Sequence, residues 1–232
     1  EFLHGDGLVG RLPPEMRDKI LQGTEHLSVL RSDGHPIEDH VKVVERLRQV
    51  DGVVSASVTT YDGALARSNK GSGYAVLRGI EKGNEAQARR WLVEGRIDPL
   101  FETPIASESS LPQTVVGSEL ATKIGVTTGD VFEVIAANDL AANTKRRLRV
   151  AGIFRSGLFE YDATWIFLPL ETVVSFGPGE HAASVISVQV DDADNVKQIG
   201  ARVLNALGNG YTVVDWQQAN QPLFAALALA AL

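Results

Sequence analysis

A chain of 232 residues, 44% of them hydrophobic, is long enough for roughly one large or two small globular domains. Its formal net charge of -7, from 22 Lys+Arg against 29 Asp+Glu, repels phosphate backbones, and no basic stripe interleaved with aromatics offsets it, so nucleic acid is not an expected partner. The lack of any cysteine removes disulfides, thiolate nucleophiles and thiolate zinc sites together.

In chain order, "HLSVL" from His26 to Leu30 reads as a strand that "DGHP" (Asp33 to Pro36) breaks. Ile37, Val41, Val44 and Leu47 then recur at helical spacing among charged residues, which predicts an amphipathic helix stopped by Asp51-Gly52. Val54, Ala56 and Val58 alternate as in a returning strand. A polar turn at Asn69 to Ser72 leads into a further strand, "GYAVLRGI", from Gly73 to Ile80. Gly95 to Gln113 is rich in Pro, Ser and acidic residues without periodicity, which predicts a crossing between lobes.

"VVGSELATKIGVTTGDVFEVI" predicts a short helix capped by Ser118 and ended by Gly125, with Gly129-Asp130 turning the chain into a strand from Val131 to Ile135. "RRLRVAGIF" (Arg146 to Phe154) and "ATWIFLPLETVV" (Ala163 to Val174) add two strand-like runs. In "SVISVQV", Ile186, Val188 and Val190 face one way and Ser187 and Gln189 the other. Asp194 is placed to cap a helix whose buried face is Val196, Ile199, Val203, Leu204 and Leu207. "GNG" (Gly208 to Gly210) ends that helix before the returning strand "YTVVDW". The repeated strand, helix, strand order predicts an α+β lobe of two related β-α-β units, residues 24–95 and 184–216, interrupted by a β-rich insert over residues 105–175.

Catalytic chemistry finds little support. Ser118 and Ser72 lack the G-x-S-x-G spacing of a nucleophile elbow. His35, Asp39 and His40 are close in sequence but diverge on a turn and a helix, while His4, His26 and His181 are scattered, so no metal site is expected. Gly71 and Gly73 enter a strand, where a phosphate cradle needs a helix N-terminus, and no Walker motif occurs, so no cofactor is expected. Asp191-Asp192 reads as a turn former. The densest positive cluster, Lys145, Arg146, Arg147 and Arg149, reads as a solvated strand face.

The chain closes on "NQPLFAALALAAL", where Pro222 suits a first helical turn and only alanines separate Leu223, Phe224, Leu227, Leu229 and Leu232. About ten apolar residues fall short of the roughly twenty that span a bilayer. The run is therefore expected to begin a membrane helix, with Trp216 at the membrane-water boundary and residues 1–23 and 217–232 as membrane-proximal ends.

The order "VVGSELATKIGVTTGDVFEVI", "RRLRVAGIFRSGLFEYDATWIFLPLETV" and "DWQQANQPLFAAL" resembles the extracytoplasmic domain of the LolC/LolE family of lipoprotein-releasing ABC transporter permeases. More broadly it is similar to the MacB and FtsX permeases, and "MRDKILQGTEHLSVL" is similar to their segment leaving the first membrane helix. The resemblance implies a domain at the periplasmic face of the bacterial inner membrane, between two membrane helices. It also implies a porter-like α+β lobe with an inserted sabre-like β lobe. The implied partners are a cytoplasmic ATPase subunit, a partner permease, lipoprotein cargo and a periplasmic carrier, with ATP hydrolysed in the separate subunit and no catalysis in this chain. LolC members carry a long hook that grips the carrier, and the matching loop here, Ala136 to Lys145, is short and polar, as expected of a LolE-like or more general member. Asn138, Asp139, Leu140, Lys145, Arg146 and Arg147 are the expected partner contacts. The alternative is a MacB/FtsX-like efflux or mechanotransmission domain with another cargo. A free-standing hydrolase or small-molecule binder is a third reading.

Overall fold

The computed structural model describes residues 14–102, 111–137, 144–176 and 185–221. Helix α1 (Pro14–Gly23) opens on a proline, whose missing amide costs nothing in a first turn. The chain continues into strand β1 (Leu27–Arg31) and helix α2 (His40–Leu47). Val43, Val44 and Leu47 are the buried face of α2, whereas Val41 is 61% exposed. The helix begins only at His40, so Ile37 of the expected stripe lies outside it and is buried from the preceding loop. Gly52, at φ 91°, makes the turn into strand β2 (Val53–Thr59), and a Cβ there would stand 3.0 Å from the Ile199 side chain. Ala56 and Val58 of β2 are buried, but Val54 is 67% exposed and joins no core.

The chain divides into two compact units, Glu1–Ser57 with Val185–Leu232, and Val58–Ser184. The passage lies within β2, earlier than the expected boundary near residue 95. The inserted unit continues with β3 (Asp62–Arg67), β4 (Ser72–Ile80), α3 (Ala86–Trp91), β5 (Leu92–Gly95) and a 3-10 turn at Asp98–Leu100. Then follow β6 (Gln113–Gly117), α4 (Ser118–Ile124), β7 (Val131–Ala136), β8 (Arg146–Phe154), α5 (Phe159–Thr164), β9 (Trp165–Pro169) and α6 (Leu170–Val174). The run Ala163 to Val174 is thus helix, strand and helix rather than one strand, because Pro169 stands at the N-cap of α6 with its φ at -54°.

Among the described residues of this unit, six strands close a ring in the order β4-β3-β7-β8-β6-β9, and β9 returns to β4 by parallel pairing, Val76 opposite Trp165 and Leu77 opposite Ile166. Closure removes the free sheet edges that otherwise invite aggregation. Alternate residues of all six strands meet in one core: Ala64, Ala66, Ala75, Leu77, Val116, Phe132, Val134, Leu148, Val150, Ile166 and Leu168, joined by Leu120, Ala121 and Ile124 of α4. Small residues are needed inside so narrow a barrel. A second core lies on the outer side of β6, β8 and β9, where Val115, Ala151, Phe154, Trp165 and Phe167 meet Ala88, Trp91, Ile97 and Leu100. Trp91 stacks on Phe154 with ring centroids 5.8 Å apart. The residues expected to cross between lobes therefore contribute Ile97 and Leu100 to this aromatic layer. Buried Arg78 lies 3.9 Å from the centroid of the Tyr61 ring and 4.2 Å from that of Trp165.

The chain returns as β10 (Val185–Val190), a 3-10 turn at Ala193–Asn195, α7 (Val196–Leu207), β11 (Tyr211–Asp215) and α8 (Trp216–Ala219). β1 pairs antiparallel with β10 (Leu27 opposite Val188) and with β11 (Leu27 opposite Asp215), giving the order β11-β1-β10-β2 in the unit built from both chain ends. Ile186, Val188 and Val190 are buried as the alternation predicts, and Val196, Ile199, Val203 and Leu207 are the buried face of α7. Asp194 does not cap: the Asp192 carboxylate accepts the Asp194 N–H at 3.0 Å, while the Asp194 carboxylate pairs with Arg17. Asp215 and Gln218 form a capping box on α8, and Trp216, expected at a membrane boundary, is 1% exposed and donates its indole N–H to the Ala193 carbonyl at 3.2 Å. Residues 222–232, on which the membrane-helix expectation falls, lie outside the described residues. No helix among the described residues is long and apolar enough to cross a membrane.

Candidate functional site

The expected partner contacts separate. Asn138, Asp139 and Leu140 lie outside the described residues. Lys145 and Arg147 are exposed, but Arg146 is only half-exposed and sits 5.6 Å over the ring of Phe176, a side chain packed on the barrel core. Strand alternation explains this: Arg146 shares the face of Leu148 and Val150, whereas Arg147 points to the opposite, outer face. What reads in sequence as one positive cluster is divided between two faces.

Arg147 instead joins residues remote in sequence around an open groove of about 770 Å³ at the β3–β4 turn, lined by Arg67, Lys70, Gly125, Asp130, Phe132 and Glu133 among others. The turn is locked onto the end of α4. The Ser68 hydroxyl donates to the Ile124 carbonyl and accepts the Lys70 N–H at 2.9 Å, and the Ser68 N–H donates to Gly71 O at 2.9 Å. Gly125 ends α4 at φ 68°, and a Cβ there would fall 2.7 Å from Lys70 Cβ, so glycine serves both the left-handed cap and the course of the lysine over it.

Both carboxylates of the groove are engaged. Glu133 accepts from Arg67 at 3.0 Å, and Asp130 accepts the Thr127 N–H at 2.9 Å and the Thr127 hydroxyl at 3.1 Å. These hydrogen bonds, with the charge of Lys70 as a smaller cause, hold the Asp130 carboxyl below its ordinary range. Arg149 donates to the Gly129 carbonyl at 3.0 Å. Lys70 and Arg147 have no ion pair among the described residues.

Ser118, Asp162 and His26 lie elsewhere in the chain. Ser118 is not the cap of α4: Gly117 holds that position, and the Ser118 hydroxyl is buried with no hydrogen-bond partner among the described residues. Asp162, on the neighbouring helix α5, directs its carboxylate to the Ser156 N–H at 2.7 Å, the Ser156 hydroxyl at 2.8 Å and the Gly157 N–H at 3.2 Å, and so braces the Ser156–Gly157 turn. His26 accepts the Val190 N–H on Nδ1 at 3.0 Å, and burial, chiefly, lowers its pKa. No group of three or more His, Asp or Glu among the described residues is placed to hold a metal ion.

A family model described as the MacB-like periplasmic core domain matches residues 13–206. Among solved structures, the chain is similar to the extracellular domain of the noncanonic ABC-type transporter YknZ from Gram-positive bacteria, with 21% identity, a TM-score of 0.51, and coverage of 82% of this chain and 99% of that one. It is also similar to the periplasmic region of MacB from Actinobacillus actinomycetemcomitans, with 16% identity, a TM-score of 0.53, and coverage of 87% and 93%. At such identities the two likenesses concern the fold. No curated protein matches the chain in sequence.

Proposed function

The chain belongs to the family of MacB-like periplasmic core domains, and on that premise we propose that it is the extracytoplasmic domain of an ABC transporter permease that couples ATP-driven transmembrane movement to release of lipoproteins toward a periplasmic carrier. The observation that carries this reading is the family match over residues 13–206, together with the motif order from "VVGSELATKIG" to "DWQQANQ". The unit built from both chain ends corresponds to the porter-like part, and the inserted barrel to the sabre-like part. ATP is hydrolysed in a separate cytoplasmic subunit, with a partner permease beside this one, at the bacterial inner membrane. This chain transmits motion and contributes no catalytic group.

The short polar loop from Ala136 to Lys145 favours a second reading, in which the domain serves efflux or mechanotransmission with another cargo. Proteoliposomes holding the full-length permease with its ATPase separate the two. The first reading expects ATP-dependent transfer of a triacylated lipoprotein to a soluble carrier. ATP turnover without such transfer favours the second.

A further inference from the structure

The groove at the β3–β4 turn has a pattern that a merely solvated surface does not require. On the outer face of the barrel, pairing register places Ser72, Arg67, Glu133 and Arg147 side by side across β4, β3, β7 and β8. The adjoining row, two residues along, is Tyr74, Leu65 and Ile135. Tyr74 is 60% and Leu65 36% exposed. A charged row thus borders an apolar one, the two roughly 7 Å apart at the usual rise of two strand residues. Within the charged row and its turn, Arg67 pairs with Glu133 and the charge of Lys70 acts on Asp130, so Arg67, Lys70 and Arg147 exceed Asp130 and Glu133 by one positive charge, with Lys70 and Arg147 in no ion pair among the described residues. A chain with a net charge of -7 presents here a local excess of positive charge.

We propose that this groove docks an acidic peptide segment of a partner protein, with carboxylates meeting Lys70 and Arg147 and an apolar side chain resting on Leu65 and Tyr74. An extended segment places same-face side chains two residues apart at roughly 7 Å, which matches the spacing of the two rows. The recognised pattern is therefore an acidic residue and an aliphatic or aromatic one at positions i and i+2. Arg146 takes no part, because its guanidinium lies over Phe176 on the other face of β8. This goes beyond the reading of the chain as a permease domain and does not depend on its cargo; loss of the one leaves the other standing.

The test is fluorescence anisotropy with the intact chain and a labelled peptide repeating Glu-Ser-Leu-Ser, against controls repeating Lys-Ser-Leu-Ser and Glu-Ser-Ser-Ser. The Glu-Leu peptide is expected to bind saturably, more tightly than either control, and to weaken as salt is raised. K70E/R147E is expected to reduce affinity by about tenfold or more, Y74S by about threefold, and R146E by less than about twofold. If K70E/R147E alters the thermal unfolding curve, K70Q/R147Q supplies the same reading without charge reversal. Saturable binding absent in the unaltered chain, equal binding of the Lys-Leu peptide, or a loss in R146E as large as that in the double variant would each overturn the proposal.

Discussion

In the unit built from both chain ends, α2 and α7 lay apolar stripes in register with a sheet of order β11-β1-β10-β2; in the inserted unit, six strands close on themselves and β6, β8 and β9 are buried from both sides. The first arrangement asks only that Val43, Val44, Leu47, Val196, Ile199, Val203 and Leu207 be apolar and recur at helical spacing. The second asks for specific volumes: alanines at 64, 66 and 75 inside the ring, and large rings of Trp91, Phe154, Trp165 and Phe167 outside it. A helix stripe tolerates local relaxation, whereas a closed interior transmits any change of volume around the ring.

The largest effect is expected from removing the outer aromatic layer. Trp91→Ala should cost about 3–5 kcal/mol, read as a shift in the urea midpoint, because it deletes the ring stacked on Phe154. Hydrogen exchange should show protection falling over residues 146–154 and 165–169 and persisting over 27–31 and 185–190. Equal losses in both units would show that the two cores unfold as one. Ala66→Leu, inside the ring, should cost about 1–3 kcal/mol by overpacking, while Val41→Leu on the exposed side of α2 should stay within about 0.5 kcal/mol. Thermal melts of the two variants sharpen the contrast between strict and permissive burial.

How much of this was legible follows the same division. The helical spacing of Val196, Ile199, Val203 and Leu207 and the alternation of Ile186, Val188 and Val190 are visible in sequence because one face of each element meets water. β3 is not, since its inward residues are Ala64 and Ala66, too small to stand out against Leu65, which faces outward. α3 and β5 escape for a related reason: "AQARRWLVEG" has a short helix whose buried residues are Ala88 and Trp91, then a strand whose Val93 is 59% exposed. The N-caps lie one residue from the expected Asp194 and Ser118, at Asn195 and Gly117, where the local backbone, not residue type, decides. In the groove, Arg67 and Glu133 are separated by 66 residues and meet only through the β3–β7 register, so no local signal marks the pair.

Titration gives a smaller contrast. Burial depresses the pKa of His26 in the folded state, so between that value and about 6.5 the unfolded chain binds more protons. Its contribution to stability is complete above about pH 6.5 and is lost as pH falls through the folded-state value. His26→Gln should flatten the pH dependence of unfolding below about 6.5. An unchanged slope contradicts the burial of a neutral His26 imidazole as its cause. The smallest effects belong to the split cluster. Lys145→Glu and Arg147→Glu should each alter stability by less than about 0.5 kcal/mol. Arg146→Glu should cost about 0.5–1 kcal/mol through loss of its contact with Phe176, measured by chemical denaturation.

A domain of a permease outside the cytoplasm is open to reagents that do not cross the membrane, and the absence of cysteine from this chain makes its side directly measurable. Val54, 67% exposed, and Phe159, 69% exposed, stand one in each unit and can each be replaced by cysteine in a cysteine-free background of the full-length protein. A membrane-impermeant maleimide applied to intact spheroplasts should label Val54→Cys and Phe159→Cys to the same extent before and after lysis. Labelling that appears only after lysis would place the domain in the cytoplasm.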